Sequence, residues 1–297
     1  LSCLWIMKKF IAIIVFSLIL TAHAKSIGLQ WNKKYSTGII KINGIKFKLP
    51  DGEWLLVDKS GWTVNVVRYT NAIFVKEENN ILKEIFEAGA LDTGGKWIGH
   101  IDSWVQSNMF SKYNSDGCFK KPEYYLLKLK KTGSAFNCFI IHHDDVEKEL
   151  WNPDQSSYGV YKPFNSSWVR KWILDKKINI PSTMLSSRSY FYDKNVGYFA
   201  ALQTHSINPE LYGAPKTKFR SEENSEYHKY NIEKYPNAKK FMDNFIKQSA
   251  YNHLEFQKLI KSKDNLSIDF EELNLKDKSN LKIDYESSTN KDIVEKI

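Results

Sequence analysis

Two cysteines twenty positions apart, Cys118 and Cys138, frame the part of the chain richest in reactive side chains. The second runs through Phe139, Ile140 and Ile141 into His142, His143, Asp144 and Asp145. A thiol with imidazoles a few residues on is raw material for nucleophilic catalysis, and carboxylates beside imidazoles could instead divide acid and base work or hold a metal. Each chemistry makes a geometric demand. If Phe139 to Ile141 is a buried strand, side chains alternate, so that His142 and Asp144 face one way and His143 and Asp145 the other. One face then offers two ligands, short of the three of a catalytic zinc site or the four of a structural one. The remaining histidines His100, His205, His228 and His253 stand at no metal-type spacing. No metal, cofactor or catalytic residue is therefore assigned, and solvated strand-end residues are the plainer account of the cluster.

What Cys118 and Cys138 do depends on where the chain goes. Met7, Lys8 and Lys9 open a cationic region, and the apolar run Ile11 to Leu20 that follows is too short to span a bilayer. Ala22 and Ala24 flank His23 in the small-x-small pattern of a signal-peptidase site, so residues 1–24 read as upstream sequence and signal peptide, with Lys25 as the mature N-terminus. The expected product is exported and without a membrane span, periplasmic if the cell is Gram-negative and secreted otherwise. Cys3 is lost with the leader, and an oxidising compartment favours pairing of Cys118 with Cys138 over thiol catalysis. Closing that loop would stabilise the fold by about 3 kcal/mol.

The formal charge of the 297-residue chain is +9, which removal of Lys8 and Lys9 lowers to about +7. Its lysines and arginines are spread along the chain with no clustered stripe or recognition motif, so no nucleic-acid partner is expected. Gly94-Gly95-Lys96 lacks the spacing of a phosphate-cradling loop, and neither a G-x-S-x-G elbow nor an H-E-x-x-H helix is present.

The elements that must carry these residues are mostly strands. Asn43-Gly44 between alternating runs predicts a type I′ hairpin, because that turn needs positive φ at both central residues. Pro50-Asp51-Gly52 predicts a second turn, with a new strand from Glu53. Strands follow over Thr63 to Tyr69 and Ile73 to Lys76; from Glu77 to Leu91 the residues Ile81, Leu82, Ile85 and Phe86 fit a helical face, while Asn79-Asn80 equally suits a turn between strands, and a second hairpin is the favoured reading. Tyr124 to Leu129 and Ala135 to Ile141 read as two strands. Asn165-Ser166-Ser167 supplies the N-cap of a short helix with Trp168, Val169, Trp172 and Ile173 at helical spacing, its tryptophans toward the core. Ser186 to Asp193 and Tyr198 to Thr204 form a third hairpin whose exposed face would carry Arg188, Tyr190 and Tyr192 as a candidate ligand surface. Ser206 to Tyr235 is a long polar connection, and from Pro236 to Ile260 a broad apolar stripe predicts the last helix. The fold class is α+β: a mainly antiparallel β meander with a short Trp-rich helix and a C-terminal amphipathic helix, forming one domain over 25–261. Beyond Ser262 lies a charged tail with too little apolar surface to offset the entropy of ordering, expected to be disordered.

Leu49-Pro50-Asp51-Gly52-Glu53-Trp54, the mid-chain pair Cys118 and Cys138, and Asn208-Pro209-Glu210 with Gly213 ahead of the last helix resemble a group of exported proteobacterial proteins of uncharacterised activity. The likeness covers about Ile39 to Ile260 and implies export and a shared fold, with no catalytic residues. The expected role is a non-catalytic one in the envelope, binding or scaffolding an envelope component. The alternatives are a small-ligand or glycan binder using the Tyr190 and Tyr192 hairpin with the loop from Ser206 to Tyr235, and a metal-dependent or acid/base hydrolase using His142 to Asp145.

Overall fold

The computed structural model describes residues 29–64, 67–92, 125–132, 135–151, 166–193, 199–216, 224–228 and 230–261. The expected leader, the Gly94-Gly95-Lys96 loop, Cys118 and the charged tail lie outside them. The described elements all lie within one compact unit, Trp31–Ile297, whose fold is α+β and mainly antiparallel sheet.

Eight strands follow in order: β1 (Lys34–Ile42), β2 (Ile45–Val64), β3 (Val67–Glu78), β4 (Ile81–Asp92), β5 (Tyr125–Thr132), β6 (Ala135–Asp145), β7 (Thr183–Asp193) and β8 (Phe199–Ile207). They make one sheet in the order β1-β2-β3-β4-β8-β7-β6-β5, with antiparallel pairing throughout. Two four-stranded meanders are thus joined through their last strands, β4 and β8. Asn43-Gly44 turns as expected, with φ of 49° and 79°, and Asn79-Asn80 does the same at 52° and 62°.

Pro50-Asp51-Gly52 does not turn the chain. β2 runs on through it for 20 residues. The extra length is taken up by a register shift against β1 between Ser36 and Gly38, and by Gly52 at φ 115°. A side chain at Gly52 would meet Lys76 Nζ at 2.9 Å, so glycine serves both the backbone angle and the approach of a lysine. The next reversal falls after Val64, inside the segment expected to be a single strand from Thr63 to Tyr69.

Helices cover both faces. On one lies α3 (Pro236–Lys261), whose Met242, Phe245 and Ile246 cluster with Phe139, Ile141, Leu185 and Ile207 of β6, β7 and β8. On the other lie α1 (Val146–Trp151) and α2 (Ser167–Lys176), whose Val146, Val169 and Ile173 pack with Val57, Ile73, Ile85 and Met184. Leu185 and Met184 are neighbours in sequence and belong to opposite clusters, as strand alternation requires. Ser166 caps α2 by accepting from the Trp168 and Val169 N–H groups, and donates its own proton to Asp58 Oδ2 at 2.6 Å. The expected long connection after Ser206 is partly folded. Pro209–Tyr212 and Ile232–Lys234 are 3-10 turns, and Tyr227 and Ile232 are buried beneath α3.

Candidate functional site

Strand alternation splits the His-His-Asp-Asp cluster as its spacing demands, but the cluster is not solvated. His142, His143 and Asp144 are 6%, 2% and 1% exposed, and only Asp145 is half-buried. β6 is an interior strand with helices over both faces, so its end is sealed where a terminal strand would be wet. On the α1/α2 face His142 Nδ1 stands 3.2 Å from Asp144 Oδ1, and Ser186 donates to Asp144 Oδ2 at 2.5 Å while bonding Ser206 at 2.7 Å. Asp144 thus anchors a polar rung across β6, β7 and β8. His143 faces α3, edge-on to the ring of His228 at 6.2 Å. Cys138 is buried on the same face as His142.

The expected ligand surface on β7 is also internal. Arg188 and Tyr190 are 2% and 5% exposed, because β7 lies between β6 and β8 and has no free face; the Tyr192 side chain is outside the described atoms. Arg188 is matched by Glu87 on β4, whose carboxyl burial pushes up to about 7 against the opposing pull of the Arg188 charge, Asn71 and Thr204. Among the described residues neither Glu87 oxygen meets a donor in good hydrogen-bonding geometry, which is why burial wins. The Tyr69 hydroxyl closes this group, lying 2.6 Å from where a side chain at Gly89 would begin.

Three residues before Glu87, and on the opposite face of β4, Glu84 has the contrary environment. Its Oε1 accepts from Lys76 Nζ at 2.7 Å and from the Tyr212 hydroxyl at 2.5 Å, and its Oε2 pairs with His205 Nε2 at 2.7 Å. Burial is the largest single influence and works upward. The His205 hydrogen bond and charge, with the bonds from Lys76 and Tyr212, outweigh it and hold the carboxyl at about 2. Burial and the Glu84 charge in turn push the Tyr212 hydroxyl above its ordinary range.

Two of the three features that carried the sequence resemblance end at this carboxylate. In the first, the Asp51 carbonyl accepts from Lys76 at 2.7 Å, the Trp54 indole N–H donates to the Pro50 carbonyl at 2.8 Å, and its ring lies 4.4 Å beneath the Lys76 ammonium. In the second, Asn208 accepts from the Glu210 N–H and donates to the Leu82 carbonyl, and Gly213 at φ 82° closes the turn that aims Tyr212 at Glu84. Lys76 and Glu84 face each other across the β3–β4 hairpin, eight positions apart, but nothing in the sequence marks His205 as their partner, since it meets Glu84 through strand pairing across 121 positions.

Two clefts border this knot. The larger, about 720 Å³, lies between α2 and the β1–β3 end of the sheet and has Trp31, Trp168, Trp172, Lys34, Lys171 and Lys176 among its walls, with Lys76 and Trp54 at its base. Trp168 was expected to face the core. It is instead 45% exposed and meets Trp31, 41% exposed, edge to face at 4.4 Å, while Trp172 packs inward. The smaller cleft, about 330 Å³, runs between α3 and the sheet past His205. Among the described residues no three His, Cys, Asp or Glu side chains converge as a metal set, and no helix is long and apolar enough to cross a membrane. Comparison with family models, curated proteins and solved structures found no match to this chain.

Proposed function

We propose that this chain is an exported, non-catalytic binding protein of the cell envelope, related to the exported proteobacterial group it resembles, and that it takes a glycan in the tryptophan-walled cleft. The observation that carries this reading is the pair Trp31 and Trp168. Two large rings left exposed at the mouth of the larger cleft are surfaces on which the apolar face of a sugar stacks. The charged walls are nearly balanced, four lysines against three carboxylates, and Lys34 and Lys171 are already paired with Glu53 and Asp175. That balance suits a neutral or weakly anionic sugar better than a polyanion. Scaffolding of envelope polymer by this face is the same reading at larger scale.

Export rests on the leader-like residues 7–24. The pairing of Cys118 with Cys138 belongs with it and rests on the oxidising compartment that export implies, Cys138 itself being buried. The hydrolase alternative gains nothing from the geometry, because His142, His143 and Asp144 are buried and Asp144 is bonded inward.

Titration of the mature protein with soluble peptidoglycan fragments tests the proposal through tryptophan fluorescence. Saturable quenching that Trp168→Ala removes, with the circular dichroism unchanged, is the expected result. Absence of quenching, or quenching indifferent to Trp168, would overturn the assignment of this cleft.

A further inference from the structure

The feature that marks the tryptophan cleft recurs on the far side of α2. Tryptophan is highly buried on average, because its ring removes a large apolar area from water. Among the described side chains three tryptophans are exposed, Trp31, Trp151 and Trp168 at 41%, 42% and 45%, and all three lie on or beside α2. Trp31 and Trp168 stand at the mouth of the larger cleft. Trp151, the last residue of α1, lines a separate groove of about 640 Å³ with Leu150, Ser167 and Leu174. Leu174 is itself 62% exposed. α2 is therefore apolar beyond its core-facing stripe: Val169, Trp172 and Ile173 point inward, and Trp168 and Leu174 are left outside. A helix apolar on more than one side has a second surface to cover.

The two grooves meet over the helix. Lys171 and Asp175 line both, and an ion pair of 2.8 Å joins them one turn apart. Such a pair offers donors and acceptors side by side, which is what sugar hydroxyls need. The other cation of the outer groove is also engaged, since Arg170 Nη1 donates to the Leu150 carbonyl at 3.4 Å, at the end of α1. With both cations held locally, the groove suits a neutral, hydroxyl-rich occupant better than a polyanion or an anionic lipid surface.

We propose that the glycan site spans α2, and that its ligand is a linear strand of several sugars. The strand stacks on Trp31 and Trp168, crosses Lys171 and Asp175, and stacks again on Trp151 beside Leu174. This rests on the glycan reading of the tryptophan cleft and adds the class of ligand, a polymer strand in place of a single sugar. A helix with its side chains is about 10–12 Å across, so one sugar ring cannot reach from one groove to the other.

Calorimetry of the mature protein with peptide-free glycan strands of peptidoglycan, a disaccharide and an octasaccharide, tests the span. The octasaccharide is expected to bind more tightly. Trp151→Ala should weaken it about tenfold for the lost stacking surface, a larger loss than the disaccharide shows. Leu174→Ala should weaken it about threefold. A longer strand also gains by offering more registers, but that gain would survive both changes. Trp151 is more than half buried, so Leu174→Ala carries the test should the tryptophan variant fold poorly; its position is exposed and alanine favours a helix. Tyr230→Ala, at a 75% exposed ring lining neither groove, should change nothing. Equal affinity for both strands, each dependent on Trp168, would leave the cleft reading standing and overturn the span. A length gain indifferent to Trp151→Ala and Leu174→Ala, or one lost with Tyr230→Ala, would also overturn it. No binding of either strand would overturn the span and the cleft reading together.

Discussion

The Glu87 carboxyl should make this protein lose stability as pH rises through the weakly acidic range, and Glu87→Gln should remove that loss. The folded value is about 7, against an ordinary 4.5. Below about pH 4.5 the group is protonated in both the folded and unfolded chain and contributes no pH dependence. Between the two values the unfolded chain releases the proton while the folded chain retains it, so unfolding gains free energy with each unit of pH. Once pH exceeds 7 the folded group ionises too and the loss levels off. A difference of about 2.5 units at about 1.4 kcal/mol per unit gives a total of about 3 kcal/mol, with little screening at a site 1% exposed. Glutamine keeps the shape without the titration. Urea unfolding of both proteins from pH 4.5 to 8 measures the difference directly, and other titrating groups cancel in it to the extent that the substitution leaves them alone. The Gln variant should gain about 3 kcal/mol on the wild type across that range. A difference that stays flat with pH would show that Glu87 is ionised in the folded state and that Arg188 dominates it after all.

The opposite sign is expected at Glu84, whose folded value of about 2 lies below its ordinary 4.5. Its stabilisation is present above pH 4.5 and lost as pH falls toward 2, so Glu84→Gln should abolish an acid-side loss of about 3 kcal/mol, read by urea midpoints at low pH. Asn208→Ala strips the 3-10 turn of its cap and removes a donor from the Leu82 carbonyl, which should cost about 1–3 kcal/mol in a denaturation midpoint while α3 keeps its helical signal. Peptide mapping without reductant should find Cys118 linked to Cys138, and replacing both by serine should lower stability by about 3 kcal/mol; two alkylatable thiols in the exported protein would refute the pairing.

How much of this could be read from the chain depends on the range of the physics involved. Asn43-Gly44 and Asn79-Asn80 turn where they were expected to, because a type I′ turn is decided by the φ preferences of two adjacent residues. The stripe from Pro236 announces α3 for the same local reason. Pro50-Asp51-Gly52 has the composition of a turn, yet β2 passes through it, since the lysine that fills the space over Gly52 comes from β3. Arg188 and Tyr190 would face outward on a lone hairpin. With β6 and β4 flanking β7 and β8, both are buried. Trp168 failed in the other direction, because a helix pattern cannot say how far a sheet edge extends beneath it. His205 stands at no metal-type spacing in the sequence, and its partner Glu84 lies 121 positions away.

Glu84 and Glu87 show what separates a charge a fold can keep from one it must suppress. The two are of one residue type, on one strand, three positions apart and nearly equally buried at 3% and 1%. Arg188 faces Glu87 as Lys76 faces Glu84, so an opposite charge nearby does not distinguish them. Donors in hydrogen-bonding geometry do. Glu84 is met by three of them, each from a different segment: β3, β8 and the 3-10 turn after β8. Among the described residues Glu87 is met by none in good geometry. A buried carboxylate loses the solvation of water whichever face it lies on, and only directed donors replace it. The Glu84 charge therefore holds those three segments together.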